Sequence, residues 1–147
     1  MFERIMIATD GSKHSERAAE VGIELARLSG GAITAVYVAD TGRLSHLPED
    51  MALASIRDLL IKEGEEATGY IEEMANKAGV ASAKKVVEGN PGVELVQYAD
   101  ESGVDAIVIG SCGRSGLEKF LLGSVAEKVV RTSRVPVITV PGEMVCD

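Results

Sequence analysis

Tryptophan is absent from this chain of 147 residues, and aromatic residues make up only 3% of it. Hydrophobic residues nevertheless account for 46% of the sequence, so the core has to be built from Val, Ile, Leu, Ala and Met. Cysteine is also scarce, since only Cys112 and Cys146 occur, and their spacing matches neither C-x-x-C nor a metal-ligand pattern. The composition therefore argues against a disulfide scaffold and favours a reducing, cytoplasmic compartment.

Basic residues are outnumbered, with 15 Lys and Arg against 23 Asp and Glu, which gives a formal net charge of −8. No cluster of Lys and Arg stands out, so we expect no nucleic-acid partner, because phosphate backbones favour a basic face. No apolar run reaches the ~20 residues that a transmembrane helix needs, and residues 1–5 do not resemble a signal peptide. We therefore expect a single cytoplasmic domain over residues 1–147, with no membrane partner.

Short apolar runs alternate with segments of helical periodicity along the whole chain. Strands are predicted at 4–9, 32–39, 84–88, 105–110 and 135–140, the third of them at a sheet edge. Helices are predicted from Ser12 or Ser15 to Gly30, over about 49–78, after an N-cap at Asn90, and over about 124–133, with a short helical turn near 115–121. This alternation predicts an α/β fold, a doubly wound parallel sheet with helices on both faces.

Each main helix carries an apolar face that predicts which side is buried. Two capping boxes, at 115–118 and 124–127, predict that Ser115 and Ser124 cap helix starts. The predicted buried positions are Ala18, Val21 or Gly22, Leu25 and Leu28 in the first helix; Leu53, Ile56, Leu60, Gly64, Ala67, Ile71, Met74 and Ala78 in the second; and Val93, Val96 and Ala99 in the third.

Glycines cluster where the fourth strand meets the fourth helix, in the spacing Gly110-x2-Gly113-x9-Gly123-Ser124. Glycine lets backbone approach a ligand closely, and a helix N-terminus favours a bound anion, so a phosphate site is predicted here. The segment is neither a Walker A loop nor G-x-G-x-x-G. Asp10 and residues 38–40 also follow strands, so three parts of the chain are expected to meet at one edge of the sheet.

The spacing G-x2-G-x9-G-[ST] resembles the nucleotide-binding signature of the universal stress protein family. The resemblance extends over nearly the whole chain, through the segments 5–12, 36–38, 89–91, 113–117, 121–126 and 135–137. It implies a five-stranded sheet of order 3-2-1-4-5, of the adenine nucleotide alpha hydrolase type. It also implies a homodimer that pairs through strand five, where Val137, Ile138 and Val140 lie.

The same resemblance implies an ATP site with Mg²⁺ on the phosphates. Asp10 would contact the ribose or the metal, Thr9 would shape the pocket, and the backbone of Val38 would meet adenine. The phosphates would be held by backbone and by Arg114, at the carboxyl end of strand four and the start of helix four. The full implied set is Ala8, Thr9, Asp10, Val38, Gly110, Ser111, Gly113, Arg114, Gly123, Ser124 and Val125.

Other interpretations compete with these assignments. Ser124 is also a plausible helix cap, Asp10 a cap of the first helix, and Cys112 a small loop residue or a redox-active thiol. His14 and His46 lack a paired ligand pattern, so no protein metal site is predicted. A base or water-positioning residue for hydrolysis is not evident, which favours binding with at most slow hydrolysis. The alternative function is a dimeric interaction module that binds no nucleotide.

Overall fold

The computed structural model describes residues 2–42, 51–111 and 122–142, without the side chains of 51–53. Its elements follow one another as β1 (Arg4–Thr9), α1 (Lys13–Ser29), β2 (Ala32–Ala39), α2 (Met51–Lys77), β3 (Ala81–Glu88), α3 (Pro91–Ser102), β4 (Ala106–Gly110), α4 (Ser124–Thr132) and β5 (Val137–Val140). The strands form one parallel sheet in the order β3-β2-β1-β4-β5. The predicted α/β fold and strand order are confirmed, and β3 and β5 are the two edges.

Alternate residues of the central strands supply two hydrophobic clusters, one on each face of the sheet. On the first face, Ile5 and Ile7 of β1 pack in one cluster with residues of α1 and α2. On the second face, Met6 and Ala8 pack in another cluster with residues of α3 and α4. Because β1 is buried on both faces, its sequence is a nearly continuous apolar run, as is typical of parallel sheets.

Helix ends follow the sequence signals in two cases and depart from them in a third. The Ser12 side chain caps α1 by accepting a hydrogen bond from Ser15 N, and Asn90 caps α3 in the same way through Val93 N. At α4 the N-cap is Gly123, with no side-chain cap, and Ser124 is the first helical residue. The prediction that Ser124 caps this helix is therefore wrong, because the chain enters the helix one residue earlier.

The buried faces of the helices are narrower and built from smaller residues than predicted. In α1 the buried residues are Ser15, Ala18, Ala19, Gly22, Ile23 and Ala26, while Leu28 is 70% exposed. In α3, Val93 is 46% exposed and Leu95 takes its place in the core. In the described part of α2, the buried positions are Gly64, Thr68, Ile71 and Ala75, and Thr68 satisfies its hydroxyl by donating to Gly64 O at 2.8 Å.

Two strand bounds also differ from the sequence prediction. β3 begins at Ala81, earlier than the predicted 84, and β5 begins at Val137, later than the predicted 135. The early residues of β3 are polar or small, which hid their pairing with β2 from a search for apolar runs. Among the described helices, none is both long enough and apolar enough to cross a membrane.

Candidate functional site

The carboxyl ends of β2, β1 and β4 lie side by side. Thr9, the last residue of β1, pairs with Tyr37 of β2, and Gly110, the last residue of β4, pairs with Val140 of β5. Continuing the β1–β4 register by two residues places Gly110 beside Thr9. The structure therefore brings together the strand ends that carry the predicted site, where β1 meets both halves of the sheet and ligands of such folds bind.

A network of hydroxyl groups fixes the turn between β1 and α1. Ser15 Oγ donates to Ser12 O at 2.8 Å and lies 3.0 Å from Thr9 Oγ1. Because a hydroxyl has one hydrogen, Thr9 must be the donor in the second bond. Thr9 Oγ1 also accepts from Gly11 N at 3.1 Å, and Gly11 adopts φ +81°, a conformation that favours glycine. The turn thus has a defined shape beside the strand end.

Asp10 lies within this turn and is half-buried. Its Oδ1 accepts a hydrogen bond from Ser12 N at 2.9 Å. The cap of α1 is Ser12, so the interpretation of Asp10 as the helix cap is wrong. The turn holds the Asp10 carboxylate at the end of β1.

Val38 and Ala8 contribute backbone to the edge of the sheet, since their side chains are used in the core. Val38 is 9% exposed and Ala8 is 4% exposed, and both belong to the cluster on the second face. Val38 lies one residue beyond Tyr37, the partner of Thr9, and pairs with Val87 on its other side. Any ligand contact at these two positions would have to be made by main-chain atoms.

The start of α4 is tied directly to the end of β4. Ser111 N donates to Val140 O at 2.9 Å, and Gly123 N donates to Ser111 O at 2.7 Å. The first intrahelical bond described here runs from Glu127 N to Gly123 O, so the amides of Ser124 and Val125 precede the helical ladder. Gly123 N, which was predicted to face phosphate, is instead engaged within the protein.

Several predicted positions fall on residues that the structure does not describe. Gly113, Arg114, Cys112, the first capping box and the helical turn near 115–121 lie outside the described residues, as does His46. In the described ranges, no three His, Cys, Asp or Glu side chains are grouped so that they could hold a metal ion.

A cavity of about 230 Å³ opens on the first face, between the start of α1 and the middle of α2. Three of its lining residues are carboxylates, Glu16, Glu63 and Glu66, and it also reaches Thr9, Gly11, Ser12, Ala67, Tyr70 and Ile71. Glu63 accepts a hydrogen bond from the buried Tyr37 hydroxyl at 3.0 Å. These acidic residues were not predicted from the sequence, because charged residues beside the apolar faces of α1 and α2 resembled an ordinary solvated surface.

An ion pair joins α2 to the end of β3, close to Val38 and Ala39. Arg57 donates from Nε to Glu88 Oε1 at 2.5 Å and from Nη2 to Oε2 at 2.8 Å. These hydrogen bonds, together with the opposite charge of the partner residue, lower the pKa of Glu88 and raise the pKa of Arg57. The two residues are 31 positions apart, and no local pattern predicts their pairing.

Comparison with known proteins gives a consistent result. The model of the universal stress protein family matches residues 1–141. A universal stress protein of Methanocaldococcus jannaschii is 38% identical over 140 residues, which cover 95% of this chain and 82% of the relative. A solved structure, described in a structure-based assignment of biochemical function to a hypothetical protein, is 28% identical with a TM-score of 0.86, covering 98% of this chain and 99% of the other.

Two similar structures contain adenine nucleotides. The universal stress protein of Archaeoglobus fulgidus in complex with dAMP is 28% identical, with a TM-score of 0.70, and covers 95% of this chain and 98% of that one. A universal stress protein in complex with cAMP is 27% identical, with a TM-score of 0.68, and covers 97% and 98% respectively. Similar proteins of this fold therefore bind adenine nucleotides.

Proposed function

Because the chain belongs to the universal stress protein family, we propose that it binds ATP at the carboxyl edge of its sheet. The observation that carries the proposal is the convergence there of three strand ends with the uncapped start of α4. Adenine nucleotides in similar structures support the same class of ligand. In this proposal ATP acts as a regulatory ligand in a stress response, with at most slow hydrolysis.

The phosphates are assigned to the start of α4. The amides of Ser124 and Val125 lie at the positive end of that helix, before its first described ladder bond, and such groups suit an anion. Ser124 is exposed, so its hydroxyl can add a donor. The acidic cavity on the first face would repel phosphate, which strengthens the assignment to α4. The sequence signature adds four more residues to those proposed to hold the phosphates, namely Gly110, Ser111, Gly113 and Arg114.

The nucleoside is assigned to the ends of β1 and β2. Asp10 would accept hydrogen bonds from ribose hydroxyls or contact Mg²⁺ that arrives with the phosphates, since carboxylate oxygens suit both. Main-chain atoms of Val38 would meet adenine, because the Val38 side chain is committed to the core. Thr9 and Ala8 would form the part of the pocket that lies between Asp10 and Val38.

Two further parts of the proposal concern the assembly and its location. We place the protein in the cytoplasm, as a homodimer formed between two β5 edges. The side chains of Val137, Ile138 and Val140 pack against the core clusters of their own subunit, so the pairing surface is the backbone edge of β5. A nucleotide would regulate this protein only if it bound two of its states with different affinity.

The test is nucleotide extraction from freshly purified protein, followed by calorimetric ATP titration of wild type and Gly123→Val. Gly123 has φ −62° and ψ 155°, which Val also adopts, so the substitution mainly adds bulk at the start of α4. Gly69→Val is the control, because a Cβ there has only Lys84 Nζ nearby, at 3.9 Å. We expect ATP binding in wild type and the control, and a loss of at least about tenfold in Gly123→Val.

Equal binding by Gly123→Val would overturn the assignment of the phosphates to α4. If wild type takes up no ATP at millimolar concentration, the proposal of an ATP site fails. The interaction module without a nucleotide then becomes the better interpretation.

A further inference from the structure

We propose that Arg57 and Glu88 form a positioning pair for the nucleotide site. The pair holds the first turns of α2 against the adjoining ends of β2 and β3, and so sets the wall beside Val38. This inference rests on the proposed function, but its structural part can be tested without nucleotide. Neither residue is assigned a contact with ATP.

Arg57 and Glu88 are joined by two parallel hydrogen bonds. Two of the three guanidinium nitrogens of Arg57, Nε and Nη2, donate to separate oxygens of Glu88 at 2.5 and 2.8 Å, which fixes orientation as well as distance. Arg27 and Glu24 form a similar pair of hydrogen bonds, but both of these residues lie in α1. The contact between Arg57 and Glu88 instead connects two elements that are distant in the sequence.

The location of the pair links it to the end of β2. Glu88 is the last residue of β3 and pairs with Ala39, the last residue of β2. The next amide, Gly89 N, donates to Ala39 O at 3.0 Å. The main chain of Val38 and Ala39 is thus bonded on one side to the end of β3, whose last side chain binds α2. A shift of α2 would be transmitted to the segment that the proposal assigns to adenine.

The described side chains in the first turns of α2 bury little of their surface. Among the described side chains of α2, those from 54 to 63 are exposed or half-buried, and the first buried residue is Gly64. Leu59 in this stretch is 66% exposed. Helical turns with few buried apolar contacts open locally at low free energy, so a single oriented ion pair has a large share in their placement.

The pair is itself partly exposed, with 56% of the Arg57 side chain and 36% of the Glu88 side chain accessible. Exposed ion pairs contribute little, so the expected effect is roughly a two- to fivefold loss of ATP affinity. High salt should reduce this loss of ATP affinity, because screening weakens the ion pair in wild type, whereas the variants have no such pair to weaken. The affinity ratio of variant to wild type should therefore approach one in about 1 M salt.

The experiment compares Glu88→Gln, Arg57→Gln and the charge swap of Arg57→Glu with Glu88→Arg, all in the full chain. Glu72→Gln is the matched control, because Glu72 also lies on α2 and faces Lys84 of β3, but at 3.9 Å and near the middle of that strand rather than at its end. Calorimetric ATP titration should show the loss in both single variants, recovery in the swap, and no change in the control. Unchanged affinity in Glu88→Gln, or no recovery in the swap, would overturn the inference.

Hydrogen exchange of the nucleotide-free proteins separates this inference from the proposed function. Glu88→Gln should speed exchange at residues 54–60 and at Gly89, while Glu72→Gln leaves both as in wild type. If wild type binds no ATP, the ATP proposal fails, yet faster exchange would still establish the pair as the positioner of α2. Exchange equal to wild type in Glu88→Gln would reject the positioning role whatever the nucleotide result.

Discussion

At the scale of single residues, the turn after β1 depends on Ser15 more than on the carboxylate beside it. Ser15 is 5% exposed, and its hydroxyl serves as donor to Ser12 O and as acceptor for Thr9. A buried hydroxyl that loses its acceptor keeps the full cost of desolvation. The shape of this turn, and with it the position of Asp10, is therefore coupled to the stability of the core.

Ser15→Ala should lower the free energy of unfolding by about 1–3 kcal/mol, because the Thr9 hydroxyl is left without its acceptor. Ser102→Ala is the control, since the Ser102 hydroxyl only donates back to Tyr98 O within α3, and its change should stay within about 0.5 kcal/mol. Urea unfolding followed by circular dichroism measures both values. Equal stability of the two variants would show that the network of hydroxyls contributes nothing.

At the scale of elements, α2 lies on the sheet through contacts that only glycine permits. A Cβ on Gly64 would lie 2.5 Å from Cδ1 of Tyr37, whose ring is 4% exposed and whose hydroxyl is bonded to Glu63. Buried between strand and helix and fixed at its hydroxyl, this ring cannot move aside cheaply. The same helix carries Gly69, where a Cβ would meet only Lys84 Nζ, at 3.9 Å.

Substitution of alanine for each of these two glycines should change the stability in opposite directions. Gly64→Ala should destabilise by about 1–3 kcal/mol through overpacking against Tyr37. Gly69→Ala should stabilise by about 0.5–1 kcal/mol, because alanine favours the helix and has room. Urea midpoints of the two variants against wild type decide this, and a Gly64→Ala protein as stable as Gly69→Ala would contradict the packing described here.

The strands and helices also show how much of the fold and of the candidate site the sequence predicts. The parallel α/β sheet and the convergence of Asp10, Val38 and Gly110 could be predicted from periodicity and right-handed crossovers, whereas the strand order came from the family resemblance. Buried helix faces were less predictable, since alanines such as Ala19 and Ala26 suit either a core or a surface. The Arg57–Glu88 pair and the acidic cavity could not be predicted, because each depends on residues that only the tertiary fold brings together.

At the scale of the whole molecule, the sheet has two edges, and the proposed dimer uses the one formed by β5. Carbonyls of Pro136 and Val140 accept hydrogen bonds from β4. Because main-chain groups alternate in direction along a parallel strand, the N–H and C=O of Val137 and Thr139 point away from the sheet. Those groups would pair with a second copy.

Thr139→Pro should convert the proposed dimer into a monomer while the sheet stays intact. Proline removes an outward N–H and is tolerated on edge strands, whereas Thr139→Val keeps that N–H and serves as the control. Light scattering at micromolar concentration gives the mass, and circular dichroism checks the fold. A Thr139→Pro protein that stays dimeric would show that the dimer interface does not depend on β5. A monomeric wild type would contradict the dimer proposal.

The hydrogen bond from Gly123 N to Ser111 O has a consequence for how this molecule can vary. Ser111 follows β4 and Gly123 precedes α4, so this bond holds the end of the strand and the start of the helix together across the connection between them. Doubling such a connection costs only about 0.6 kcal/mol of closure entropy. We therefore expect an insertion between these two positions to leave β4 and α4 in the same relative placement.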